Sequence, residues 1–119
     1  LFAAFSKYEQ YFHLHKAQPG ADVDWFAFPI TIKDEAPFKR SDICKFFEAN
    51  KIQTRPYFAG NIMLQPAYTH LIDSKEVIEK YPVARKVTTD TFFLGTSPVI
   101  NKEKTDYIET ILDKFIATL

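Results

Sequence analysis

Glycine, cysteine and methionine are nearly missing from this chain. Its 119 residues hold three Gly, one Cys and one Met. So few glycines leave no room for a Gly-rich phosphate loop, and no nucleophile elbow or cysteine–histidine cluster is present. The single cysteine, Cys44, excludes an internal disulfide and points to a reducing, cytoplasmic setting. Excess charge of either sign is also lacking: 15 basic residues balance 15 acidic ones. No basic patch is therefore expected, and neither nucleic acid nor an anionic membrane is an expected partner. No apolar run approaches the roughly 20 residues of a membrane span, and the first residues do not read as a signal peptide. No base–nucleophile pair can be drawn from spacing alone.

Aromatic residues are abundant instead, with 12 Phe, 6 Tyr and 1 Trp. That is ample for one core, and part of it is material for an interface. The length allows one domain. Leu1-Phe2-Ala3-Ala4-Phe5 reads as the middle of a helix without a cap or an initiator Met. A piece of a longer protein is the expectation.

Phe2, Phe5, Tyr8 and Phe12 fall three or four apart, which predicts a helix over Leu1–Tyr11. Tyr11 to His15 is either its end or a short strand. His13 and His15 would then share one side of a strand, as two metal ligands would, but no third ligand is near, so exposed edge histidines are the plainer reading. Asp22-Val23-Asp24 ends a turn, although two carboxylates at this spacing also occur at divalent-metal sites. Trp25–Ile32 alternates as a strand, with Pro29 suggesting an edge or a bulge. Ser41 is read as the cap of a helix whose stripe is Ile43, Phe46 and Phe47, with Cys44 beside it as a structural thiol. Short strands are expected over Ile52–Arg55 and Thr91–Gly95. Short helices are expected at Gln65–Tyr68, Ser74–Lys80 and Val83–Asp90. Asn101 caps a last amphipathic helix whose apolar pairs are Tyr107 and Ile108, Ile111 and Leu112, and Phe115 and Ile116. The sum is α+β: a small, mainly antiparallel three-stranded sheet with helices packed on one face.

The stretch Thr54-Arg55-Pro56-Tyr57-Phe58-Ala59-Gly60-Asn61 is where unusual chemistry gathers. Pro56 fixes and Gly60 frees the backbone, so it reads as a shaped turn off a strand. A permanently charged guanidinium beside two aromatics and an amide suits an anion attached to a ring. The plainer alternative is a structural loop whose Arg55 pairs with a surface carboxylate.

The run from Asp24 to Tyr68 resembles the C-terminal small domain of the DegT/DnrJ/StrS sugar aminotransferase family. The matching residues are Trp25-Phe26-Ala27-Phe28-Pro29-Ile30, Lys51-Ile52-Gln53-Thr54-Arg55 and Leu64-Gln65-Pro66-Ala67-Tyr68, and the likeness continues through Asp90-Thr91-Phe92-Phe93-Leu94-Gly95 to the last helix. Most family members carry a proline pair and a His just before the Leu-Gln-Pro element. Phe58-Ala59-Gly60-Asn61-Ile62-Met63 stands there instead, and resembles the hexulose 3-dehydrase branch. The resemblance implies the small domain of a fold-type-I, pyridoxal-phosphate-type enzyme. Such a dehydrase uses pyridoxamine phosphate to remove the C3 hydroxyl of a CDP-linked 4-keto-6-deoxy sugar, on the way to deoxysugars of the O-antigen. A [2Fe–2S] cluster and a partner reductase supply electrons. The large domain, preceding this one in the same chain, would hold the cofactor, the cluster and the catalytic residues. The resemblance thus implies no catalytic residue in this piece, which alone is expected to bind neither group and to be inactive. A homodimer is implied for the whole enzyme. Arg55, Tyr57, Phe58, Asn61, Gln65 and Lys86 would form this domain's share of the nucleotide-sugar cleft. The rival within the family is a sugar aminotransferase; the rival outside it is a free-standing binding module.

Overall fold

The computed structural model describes residues 1–119. In chain order the elements are α1 (Phe2–Ser6), β1 (Phe12–Leu14), β2 (Ala27–Ile32), α2 (Arg40–Ala49), β3 (Arg55–Pro56), a 3-10 helix (Ile62–Leu64), α3 (Ser74–Lys80), α4 (Pro82–Asp90), β4 (Thr91–Gly95) and α5 (Lys102–Ile116). The α+β class holds. The sheet is antiparallel throughout but has four strands, in the order β1-β2-β4-β3. The additional strand is β1, where α1 gives out early and the chain turns through Tyr11 into Phe12–Leu14.

Alternation along the strands sorts the sheet into two faces. Register places Phe12, Ile30, Ile32, Phe92 and Leu94 on one of them. These side chains join Phe5, Ile43, Phe47, Ile108, Leu112 and Phe115 in one core. Helices α1, α2 and α5 supply the cover, because each puts apolar residues three and four apart: Ile43 and Phe47 on α2; Ile108, Ile111, Leu112 and Phe115 on α5. Rings meet edge to face through this layer, as Phe5 does with Phe12 at 5.3 Å and Phe38 with Phe115 at 5.0 Å.

The opposite face carries His13, Thr31, Thr91, Phe93 and Arg55. Helix α4 lies across part of it, so the helices are not confined to one face as the sequence suggested. It covers His13 and Thr31 with Pro82, Val83, Lys86 and Val87, around a hollow of about 380 Å³. No α4 side chain is fully buried. Polar contacts pin the helix instead. Arg40 Nη1 donates to Thr88 O at 2.8 Å and to Thr91 O at 3.1 Å, which satisfies carbonyls at the end of α4 and the start of β4. Thr31 and Thr91 share a hydroxyl contact of 2.8 Å across the strands beneath.

Several local expectations are corrected. Pro29 lies on a central strand, not an edge. Its carbonyl is 3.3 Å from His15 Nδ1, which places its own backbone groups on the β1 side, beyond the last paired residue Leu14. The missing N–H therefore costs no ladder bond. Lys39, not Ser41, precedes α2, because Asp42 reaches back to accept from Lys39 N at 2.8 Å. The strand expected at Ile52–Arg55 is displaced to Arg55–Pro56. Gln65–Tyr68 forms turns, and the helical turn comes earlier, at Ile62–Leu64. By contrast, α3, β4 and the Asn101 cap of α5, whose Oδ1 accepts from Lys104 N, fall where the sequence places them. No helix is long and apolar enough to cross a membrane.

Candidate functional site

The part of the second face that α4 leaves open is aromatic. Phe93 of β4 is its floor and is buried. Phe58 lies 5.9 Å from it, and Phe26, the residue before β2, lies 6.3 Å from it. Those two rings are nearly parallel to each other, 6.2 Å apart and 23° from coplanar. Tyr57 closes the group edge-on, 5.2 Å from Phe58 and 6.4 Å from Phe93. Phe26 is 77% exposed and Phe58 66%. Isolated exposed apolar residues need no explanation, but stacked neighbours over a shared floor form a platform.

Backbone strain marks the same turn. Phe58 has φ +48° and Gly60 φ +60°. Left-handed backbone costs a bulky residue about 1–2 kcal/mol, and Phe58, mostly exposed, recovers only part of it through its ring contacts. Gly60 is there for a different reason. A Cβ on it would lie 2.3 Å from Thr88 Oγ1 and 2.8 Å from Thr88 Cα, so the turn rests directly on α4.

Arg55 stands at the edge of the platform, across β3–β4 from Phe93. It is exposed, and no carboxylate lies within ion-pair distance of it. The reading of Arg55 as a surface ion pair therefore falls away. Asn61 is buried, not facing the open side. Its Oδ1 accepts from Met63 N at 3.1 Å and caps the 3-10 helix, while its own N–H donates to Thr88 Oγ1 at 2.7 Å. The bond to Met63 N fixes which way the amide points. Its Nδ2 is buried without a partner, an arrangement that costs about 1–3 kcal/mol. Gln65 is half-buried, and its Nε2 closes the turn onto Ala59 O at 2.9 Å.

Lys86 does not join the group. It lines the hollow beside His13, and its amine is held by Asp34 at 2.5 Å and Asp90 at 3.2 Å. Burial pulls its pKa down, but the hydrogen bonds and charges of the two aspartates together outweigh that and raise it above the usual lysine value. The same contact holds the Asp34 carboxyl below the usual carboxylate range. The structure thus brings together Arg55, Tyr57, Phe58, Asn61 and Gln65 and leaves Lys86 elsewhere. Sequence reasoning missed Phe26 and Phe93, which belong to the platform, and Thr88 and Arg40, which support it. Phe26 and Phe93 were legible only as strand residues; their convergence needs the strand order.

A four-stranded antiparallel sheet with one face sealed by helices, and with a cation and an aromatic platform on the other, is the small-domain architecture of the aminotransferase fold. The chain belongs to the DegT/DnrJ/EryC1/StrS aminotransferase family, whose profile matches residues 3–113. It is 30% identical over 106 residues to the lipopolysaccharide biosynthesis protein RfbH of Salmonella typhimurium, covering 89% of this chain and 24% of that protein. It is 34% identical over 101 residues to the dTDP-4-dehydro-2,6-dideoxy-D-glucose 3-dehydratase of Saccharopolyspora spinosa, covering 85% of this chain and 21% of the relative. Among solved structures it is similar to the Escherichia coli GDP-4-keto-6-deoxy-D-mannose-3-dehydratase with bound hydrated PLP, with TM-score 0.67, 17% identity, and coverage of 92% of this chain and 28% of the other. It is likewise similar to a DegT/DnrJ/EryC1/StrS aminotransferase from Brucella abortus, with TM-score 0.70, 16% identity, and coverage of 96% and 28%. The chain spans about a quarter of the length of these relatives.

The family implies a pyridoxal-type cofactor, and Lys86, the lysine that the resemblance assigns to the cleft, does not fit the role of holding one. A lysine that holds such a cofactor must offer a neutral amine, whereas Lys86 is an ammonium clasped by two carboxylates. A [2Fe–2S] cluster needs several thiolates, and Cys44 is alone, half-buried, with burial pushing its thiol pKa up.

Proposed function

We propose that this chain is the small domain of a pyridoxamine-phosphate-dependent nucleotide-sugar 3-dehydrase. The whole enzyme removes the C3 hydroxyl of a 4-keto-6-deoxyhexose. The large domain of the same polypeptide holds the cofactor and a [2Fe–2S] cluster that passes on electrons from a partner reductase, and the enzyme works as a homodimer. This domain contributes one wall of the substrate cleft. The observation that carries the reading is the Arg55–Phe58 turn: an unpaired guanidinium beside a strained, exposed aromatic. Arg55 suits the diphosphate, because its planar fork can bond two oxygens at once. Phe26, Tyr57 and Phe58 over Phe93 offer a flat apolar surface to a base or a sugar ring. Asn61 and Gln65 hold the turn in shape. Lys86 is proposed only as a fastener of α4.

Resemblance of the Phe58–Asn61 run to the hexulose 3-dehydrase branch supports a CDP-linked substrate and dehydration over amino transfer. Product analysis separates the two. The full-length enzyme, given a CDP-4-keto-6-deoxyhexose and pyridoxamine phosphate with a reductant, is expected to release a 3-deoxy sugar with no nitrogen incorporated. A 4-amino sugar formed at the expense of glutamate would make the domain part of an aminotransferase. The 119-residue chain alone is expected to bind CDP-sugars weakly or not at all by calorimetry; submicromolar affinity would favour a free-standing binding module.

A further inference from the structure

We infer that Thr88 on α4 is a positioning residue for the substrate-facing turn, setting through one hydroxyl where Asn61 and the aromatic platform sit. The inference rests on the proposed function, because it assigns the turn's placement to ligand binding.

Thr88 Oγ1 makes two bonds at once. It donates to Ala84 O at 2.7 Å and accepts from Asn61 N at 2.7 Å. The first bond commits the hydroxyl proton to the helix, so a lone pair is left for Asn61. Gly60 lets the turn come down to that lone pair, since no larger residue fits above Thr88. Behind the hydroxyl, Arg40 grips Thr88 O and Thr91 O. Position is thus handed from α2 and β4 to the end of α4, and from α4 to Asn61. Asn61 is the cap of the 3-10 helix on one side and follows Gly60 and the Phe58 strain on the other. Removing the hydroxyl leaves a buried N–H without a partner, so the turn must shift to rehydrate it.

The isosteric Thr88→Val and the hydroxyl-keeping Thr88→Ser separate this from mere filling of space. Amide hydrogen exchange in the full-length enzyme reads the bond. Val is expected to speed exchange of the Asn61 amide roughly tenfold or more while the Leu94 amide on β4 hardly changes; Ser is expected to stay close to the parent. In the full-length enzyme, Val is expected to raise KM for the nucleotide-sugar about fivefold or more with kcat little altered, and Ser to restore it. Unmoved Asn61 exchange in Thr88→Val overturns the inference. So does an unmoved KM in Thr88→Val when Arg55→Ala raises it. An unmoved KM in both variants overturns the reading of the site itself.

Discussion

Gly60→Ala is expected to lower the thermal midpoint of the chain by roughly 10 °C or more, from a loss of about 2–5 kcal/mol. Two costs add. Alanine at φ +60° pays about 1–2 kcal/mol for left-handed backbone. The new methyl would also stand 2.3 Å from Thr88 Oγ1 and 2.8 Å from Thr88 Cα, and the second of these is backbone that cannot swing away. Overpacking of that kind costs about 1–3 kcal/mol. The turn can escape only by lifting off α4, which breaks the bond from Asn61 N to Thr88 Oγ1. Gly20 is the control. It too has positive φ, but nothing lies within 4 Å of a Cβ there, so Gly20→Ala should show the backbone cost alone. Differential scanning calorimetry on both variants checks this. Equal small losses would mean that the turn is not seated on α4.

Phe47→Ala is expected to cost about 3–5 kcal/mol, a large share of the roughly 5–15 kcal/mol that holds a domain of this size together. Phe47 is fully buried and sits between α2 and the sheet, edge-on to Phe5 and to Phe92, each with ring centroids 6.4 Å away. Its removal takes away the transfer energy of a ring and leaves a hole whose walls are other rings, which collapse poorly. Phe26→Ala should cost far less, because that ring is mostly in water. Urea denaturation of the two variants would reverse the assignment of sealed and open faces if Phe26→Ala proved the more damaging.

Period and capping made much of this legible in the sequence. The apolar spacing of α5 and its Asn101 cap, the Ser74–Lys80 helix and the Thr91–Gly95 strand are local signals, and local signals survive folding. What failed was non-local. Pro29 suggested an edge strand because the sequence does not say that β1 ends one residue short of it. Likeness alone assigns Lys86 to the cleft, and its pairing with Asp34, 52 residues away, is a contact that no spacing reveals. Asn61 was singled out for its chemistry, yet its burial follows from the contact of Gly60 with Thr88, which no spacing rule reveals. Arg55 and Phe58 were legible as a pair because charge, aromaticity and the turn residues Pro56 and Gly60 fall together in one short stretch, whereas the left-handed backbone at Phe58 was not.

The central claim is that this turn holds the anionic part of a nucleotide-sugar, and Arg55 tests it most directly. Steady-state kinetics of the full-length enzyme with Arg55→Ala should show KM for the nucleotide-sugar raised about tenfold or more, as loss of a charge-assisted hydrogen bond would give, with kcat nearly unchanged. Arg55→Lys should recover only part of the loss, because an ammonium keeps the charge without the planar fork. An unchanged KM in Arg55→Ala would contradict the account.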